Sequence, residues 1–135
     1  MKALPTEFCE RMKALLGDNY GDFLNAYTEA PVRAFRVNTD KISVDEFLKI
    51  NPFDTEKIPY VENGFYFTDE KIGNHPFHHA GMIYVQEPGA MAPAECIDLE
   101  PDWCVLDMCS APGGKSSQLK NKLGENGILV SNEII

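Results

Sequence analysis

Basic side chains are scarce in this chain of 135 residues: 12 Lys and Arg stand against 21 Asp and Glu, for a formal net charge of −9. That deficit argues against a free-standing nucleic-acid binder, whose footprint is ordinarily basic. The deficit is local, however. Residues 1–40 carry five basic and six acidic groups, 41–100 carry four and eleven, and 101–135 carry three and four. The imbalance therefore reads as one solvated acidic face in the middle of the chain, which leaves RNA open as a partner without supporting it. Also missing is any apolar run near the roughly 18 residues that a membrane span needs. The opening MKALPTEFCERMK breaks up its apolar residues with Glu7, Glu10 and Arg11, unlike a signal peptide. Cysteines number only four, at irregular spacing, and without an export signal they fit reduced thiols in a cytoplasmic protein. Cys104 and Cys109, if joined by a strand at about 3.3 Å per residue, stand too far apart for a disulfide. Internal repeats and low-complexity linkers are absent as well. The length suits one domain, or one small domain plus a piece of another.

What is present begins with two short helices. In PTEFCERMKALLG, Phe8, Met12, Leu15 and Leu16 recur at helical spacing and Gly17 stands where a C-terminal cap belongs. YGDFLNAYTEAP puts Phe23, Leu24 and Tyr27 on one face before Pro31 stops it. RAFRVNT alternates like a strand, with Arg33 and Arg36 read as two surface cations on one face, able to reach phosphate. Ser43 and Glu46 form a capping box for a further helix. GFYF and MIYVQE read as strands, and GAMAPAECIDL as a helix. Acidic residues and Pro101 in DLEPDW then mark a boundary. His75, His78 and His79 have no cysteine or carboxylate within a few residues and read as a solvated loop rather than a metal set. Cys9, Cys96 and Cys104 read as buried or half-buried packing residues.

Past the boundary the pattern changes. CVLDM is a short apolar run, CSAPGG a turn, KSSQLKNKLG a helix closed by Gly124, and GILVSNE a second apolar run. Two buried parallel strands around one helix make a βαβ unit. Gly114-Lys115-Ser116 matches the end of a P-loop, but the position five before Gly114 is Cys109, so the leading glycine is missing. The dinucleotide fingerprint fails too, because Gly113 and Gly114 are adjacent. Its underlying logic survives: small residues let a ligand approach the backbone at a strand end, and an acid on the next strand takes ribose hydroxyls. Glu133 follows Gly113 by 20 residues, close to the usual offset. These features fit an adenosine-bearing ligand with no diphosphate to cradle.

LDMCSAPGGKSSQL resembles the cofactor motif of the Sun-type RNA cytosine-5 methyltransferases, Asp-x-Cys-Ala-Ala-Pro-Gly-Gly-Lys, with Ser110 as the one mild departure. LVSNEI resembles that family's next motif. FRVNT and HPFHHAGMIYVQEPGAM resemble the amino-terminal region of its bacterial ribosomal-RNA members. The resemblance implies an α/β fold: a small α+β amino-terminal accessory domain over residues 1–100, with a possible RNA-binding role, then the first βαβ unit of a Rossmann-like methyltransferase sheet over 101–135. It implies S-adenosyl-L-methionine as cofactor, held by Cys109, Ser110, Ala111, Pro112, Gly113, Gly114, Lys115 and Glu133, and ribosomal RNA as partner of the full-length protein. Cys109, a tempting nucleophile, belongs to the cofactor loop on this reading. In that family two cysteines do the chemistry, one after proline and one after threonine. This chain contains neither dipeptide, so no catalytic residue is expected within it. The expectation is an inactive amino-terminal part of a methyltransferase whose unpaired strand edges self-associate. The alternative is a short module that binds an adenosine ligand or a partner without catalysis.

Overall fold

Two helices open the chain as their apolar spacing predicts: α1 (Thr6–Leu16) and α2 (Tyr20–Ala26), joined by one tight turn over Gly17–Asn19. Gly17 adopts φ 53° and donates its N–H to the Lys13 carbonyl, ending α1 as a C-cap glycine should. Phe23 lies between the rings of Phe8 and Tyr27, with centroids 6.0 and 5.1 Å away. Leu15, expected on this apolar face, is instead 73% exposed. The computed structural model describes residues 4–69 and 71–134. It divides into two compact units, residues 1–31 and residues 32–135.

The second unit is built on β1 (Ala34–Val37), all four residues of which are buried. It continues through α3 (Val44–Ile50), β2 (Thr55–Lys57), β3 (Gly64–Phe67), α4 (Pro76–His79), β4 (Ile83–Val85) and α5 (Pro88–Glu95). The four strands form one antiparallel sheet in the order β2-β3-β1-β4. Successive side chains of a strand face opposite ways. Phe35 and Val37 therefore enter one cluster with Phe47, Phe65, Phe67, Ile72 and Ile83, while Ala34 joins Ile58, Val61 and Met91 on the other face. Each fully buried Phe contributes about 1.5–3 kcal/mol. Ser43 and Glu46 cap α3 reciprocally, as their spacing predicts. At α5, Glu87 takes over the N-cap, accepting the N–H groups of Gly89 and Ala90 at 2.9 and 2.8 Å with Pro88 as first helical residue.

The histidines differ from their expected solvated loop. His75 caps α4 by accepting the Phe77 N–H on Nδ1, and His78 is half-buried on that short helix. No cluster able to hold a metal occurs among the described residues.

The βαβ unit forms where the sequence places it: β5 (Cys104–Asp107), α6 (Gly114–Lys122) and β6 (Ile128–Ser131), with β5 and β6 parallel and in register from Cys104–Ile128 to Asp107–Ser131. Helix α6 ends one residue earlier than expected; Gly124 follows its cap and donates its N–H to the Pro101 carbonyl at 2.8 Å. Helices α5 and α6 are joined by Gln118, whose Nε2 donates to the Met91 carbonyl at 3.0 Å and to Glu95 Oε1 at 2.6 Å, and by a Lys122–Glu95 ion pair of 2.8 Å. The burial expected for the two parallel strands is not realised. Leu106, Ile128 and Val130 are exposed, because two strands with one helix leave the rest of their surface uncovered. Cys96 and Cys104 are exposed as well, and only Cys9 fits the half-buried expectation. No helix among the described residues is long and apolar enough to cross a membrane.

Candidate ligand site at the glycine turn

Strand β5 ends at Asp107, and the chain turns through Met108–Gly113 into α6. The Asp107 carboxylate organises this turn. Its Oδ1 accepts the Cys109 N–H at 3.1 Å, and its Oδ2 accepts the Ser116 hydroxyl at 2.6 Å. From the far side, the Ser110 N–H donates to the Asn132 carbonyl at 3.0 Å, and the Ala111 N–H donates to Glu133 Oε2 at 3.0 Å. The glycine turn and the acid past the second strand therefore meet at Ala111. Two N–H groups, that of Ile134 first and that of Ala111 second, hold the Glu133 carboxyl below its ordinary value.

The two adjacent glycines do different work. Gly113 is the N-cap of α6 and adopts φ 103°, a conformation that side chains rarely take, with open space where a Cβ would stand. Gly114 packs tightly: an added Cβ would lie 3.2 Å from Gln86 Cδ and 3.3 Å from Tyr84 Cε1. These two side chains reach the turn from β4 and the residue after it. The Tyr84 hydroxyl donates to the Pro112 carbonyl at 3.2 Å.

A cavity of about 240 Å³ lies between the glycine turn and the segment from β4 into α5, lined on one side by residues of 84–90 and on the other by Cys109, Ser110, Ala111, Pro112, Gly114 and Lys115. Six of the eight sequence-predicted site residues thus line one cavity. Gly113 and Glu133 are outside its lining; Glu133 is exposed and tied to it through Ala111.

Arg36 overturns the reading of RAFRVNT as carrying a pair of surface cations on one face. Arg33 precedes β1 and is exposed, whereas Arg36 is 1% exposed inside it. Three residues apart on extended chain, the two do not share a face. Arg36 points to the same side as Ala34, toward Gln86 and α6. The signal in the sequence was a lone cation inside an apolar alternation; the signals for Asp107 and Ser116 were their places at the two ends of the turn.

Against this geometry stand the relatives. The family described as the N-terminal domain of 16S rRNA methyltransferase RsmF matches residues 4–88. The chain belongs to that family. A ribosomal RNA small subunit methyltransferase F from Vibrio vulnificus is 39% identical over 142 aligned positions, covering 96% of this chain and 30% of the relative. One from Pectobacterium atrosepticum is 34% identical, covering 97% and 30%. The chain thus spans about 30% of the length of these curated relatives. Among solved structures, a methyltransferase homolog protein from Pyrococcus horikoshii superposes with a TM-score of 0.77 at 33% identity over 96% of this chain and 44% of its own. NSun6 from the same organism, solved with SFG, gives a TM-score of 0.76 at 18% identity over 94% and 58%, a likeness of fold. The matched family region ends at Pro88, at the start of α5. The glycine turn lies beyond it, within the span shared with the longer relatives.

Proposed function

We propose that the chain is the amino-terminal part of an S-adenosylmethionine-dependent RNA cytosine-5 methyltransferase acting on ribosomal RNA, with residues 1–100 as its accessory domain and residues 101–135 as the start of its cofactor-binding domain. The observation that carries this reading is the closure of the glycine turn by Glu133 at Ala111, beside the cavity that the turn lines.

The residues fit the cofactor. Gly114 lets the turn pack closely against Gln86 and Tyr84 beside the cavity, and the small side chains of Ser110 and Ala111 keep the backbone approachable. Each Glu133 oxygen accepts one backbone N–H, which leaves lone pairs for two ribose hydroxyls. At neutral pH that carboxyl is ionised and accepts only. When bound, S-adenosylmethionine supplies an electrophilic methyl group. Cytosine C5 becomes nucleophilic once a thiolate adds at C6, and a base then removes the C5 proton so that the thiolate can leave. Cys109 lies in the turn itself, Cys104 on β5, Cys96 just after α5 and Cys9 on α1. None follows proline or threonine, so we assign the reacting thiols to the longer protein.

Calorimetry with S-adenosylmethionine and S-adenosylhomocysteine tests the site. Weak binding is expected, lost in Glu133→Ala; binding unchanged by that substitution removes Glu133 from its role. Labelled cofactor with unmodified small-subunit RNA is expected to give no transfer by this chain, and transfer by a version extended to the length of its relatives. An extended version that binds cofactor yet never transfers favours a non-catalytic adenosine-binding module. The acidic middle segment should also keep RNA affinity of the chain low and salt-dependent.

Self-association belongs to the same proposal. Leu106, Met108, Ile128, Val130 and Ile134 are exposed on or beside two strands that each present an open edge, and such edges pair with other chains. Ile135, counted with them in the sequence, lies outside the described residues. Sedimentation should reveal dimers or larger species; a monodisperse monomer at high concentration refutes this.

A further inference from the structure

The guanidinium of Arg36 is buried in the middle of β1 with four acceptors, all neutral among the described residues. Its Nε donates to Gln86 Oε1 at 2.9 Å, its Nη2 donates to the Gly114 carbonyl and to Ser117 Oγ, both at 2.8 Å, and its Nη1 points to Asn121 Oδ1 at 3.5 Å. These partners lie between 50 and 85 residues away in sequence. The Tyr84 ring stands 5.7 Å from the guanidinium carbon. Burial lowers its pKa to about 10, against the opposing influence of Tyr84 and Glu95, so the cation is retained at neutral pH.

The fork reaches the carbonyl at the first residue of α6. One residue earlier the chain is in the left-handed conformation of Gly113; two earlier, the Pro112 carbonyl is held by Tyr84. Ser117 closes the arrangement, accepting from Arg36 and donating its own hydroxyl to the Gly114 carbonyl at 3.0 Å. The turn's carbonyls are thus tied to the antiparallel sheet. The N–H groups of the first helical turn have no intrahelical acceptor, and the N-cap residue, Gly113, has no side chain to cap them.

We propose that Arg36 is a positioning residue for the cofactor site: by gripping the Gly114 carbonyl and Ser117 from β1, it fixes the glycine turn against the sheet in the shape that ligand binding requires. The role toward ligand rests on the reading of the cavity given above; the grip itself does not. Arg36 is absent from the lining of the cavity and acts only through Gly114 and Gln86, which are part of it. A lysine keeps the charge, yet its single ammonium cannot serve Gln86 on one side and Gly114 with Ser117 on the other.

The test compares the full chain with Arg36→Lys, Arg36→Met, Ser117→Ala and, as a control on the longest contact, Asn121→Ala. Two quantities are read: amide hydrogen exchange without ligand, and affinity for S-adenosylhomocysteine. Arg36→Lys should speed exchange at residues 111–117 by about tenfold or more, with residues 64–67 of β3 unchanged, and should weaken binding by about tenfold, equivalent to 1.4 kcal/mol. Ser117→Ala should show the same local pattern at smaller amplitude, and it keeps the test alive should Arg36→Met fail to fold. Asn121→Ala also removes the 3.0 Å bond from Asn121 to Asn38 Oδ1, near the end of α6; exchange at residues 111–117 and affinity should stay at wild type, with any change confined to residues 119–123. Wild-type exchange and affinity in Arg36→Lys would overturn the proposal, as would acceleration spread evenly over β1, β3 and β4, the mark of a merely structural residue. A wild-type chain that binds no S-adenosylhomocysteine refutes the reading of the cavity and the role toward ligand; the exchange pattern still decides whether the grip exists.

Discussion

Glu133 and Ala111, 22 residues apart, are joined by a single hydrogen bond of 3.0 Å from the Ala111 N–H to the Glu133 carboxylate. The carboxyl is exposed, yet its pKa is depressed, first by the Ile134 N–H and then by that of Ala111. A depressed carboxylate pKa means that ionisation favours the closed turn. Its contribution is complete above the unfolded-state value and lost as pH falls through the folded-state one. The Ala111 amide shift should therefore titrate below the ordinary glutamate range, and Glu133→Gln should abolish that titration. An Ala111 shift that follows pH identically in both proteins would show that the hydrogen bond is not formed in solution.

The two turn glycines should fail differently when replaced by alanine. Gly113→Ala meets open space but an unfavourable φ, at a cost of roughly 1–3 kcal/mol. Gly114→Ala gains helix propensity but presses on Gln86 and Tyr84, which are pinned by Arg36, Ala90 and Pro112 and cannot easily retreat. A net loss of about 1 kcal/mol is expected, with the cavity narrowed. Gly21→Ala, with nothing near its added Cβ on α2, should stabilise by up to about 1 kcal/mol. Urea titrations of the three variants give the comparison.

Ser43→Ala removes the side chain that caps α3 and leaves Glu46 without its 2.7 Å hydroxyl partner. Phe47, which α3 carries into the core, makes this helix matter to the sheet. Stability should fall by about 1 kcal/mol. Ser43→Thr, which keeps a hydroxyl that both accepts and donates, should recover most of it, measured by the same titration.

Thiol titration of the native protein should separate the cysteines by exposure. Cys96, Cys104 and Cys109 should react quickly with an aromatic disulfide reagent, and the half-buried Cys9 more slowly. Single Cys→Ser variants identify each phase. A fourth thiol as fast as the others would mean that α1 does not shelter Cys9.

What the sequence made legible was local. Two apolar runs around a glycine turn specify β5, α6 and β6 with little outside help, and Ser43 and Glu46 announce α3 because a capping box closes within four residues. Strand β2 escaped notice: Thr55–Lys57 is a polar edge strand, and its structure comes from pairing with β3 rather than from any pattern of its own. Arg36 was misread for the same kind of reason. Its burial depends on Gln86, Gly114 and Ser117, none of which is near it in sequence. Exposure of β5 and β6 likewise depends on which layers cover them, and an apolar run records only that something should.

The contact between Gly127 and Pro101 limits how the protein can be lengthened. A Cβ at Gly127 would collide with the Pro101 carbonyl, while the N–H groups of Gly124 and Ile128 donate to the carbonyls of Pro101 and Trp103 at 2.8 and 3.0 Å. The entrance to β6 is thereby stitched to the entrance to β5, and together they set the distance at which Glu133 arrives opposite Ala111. An epitope tag or added residues between Ile97 and Glu100 would be absorbed as slack upstream of this stitch. The same insertion between Pro101 and Trp103, or between Gly124 and Gly127, would carry Glu133 out of step with the turn it closes.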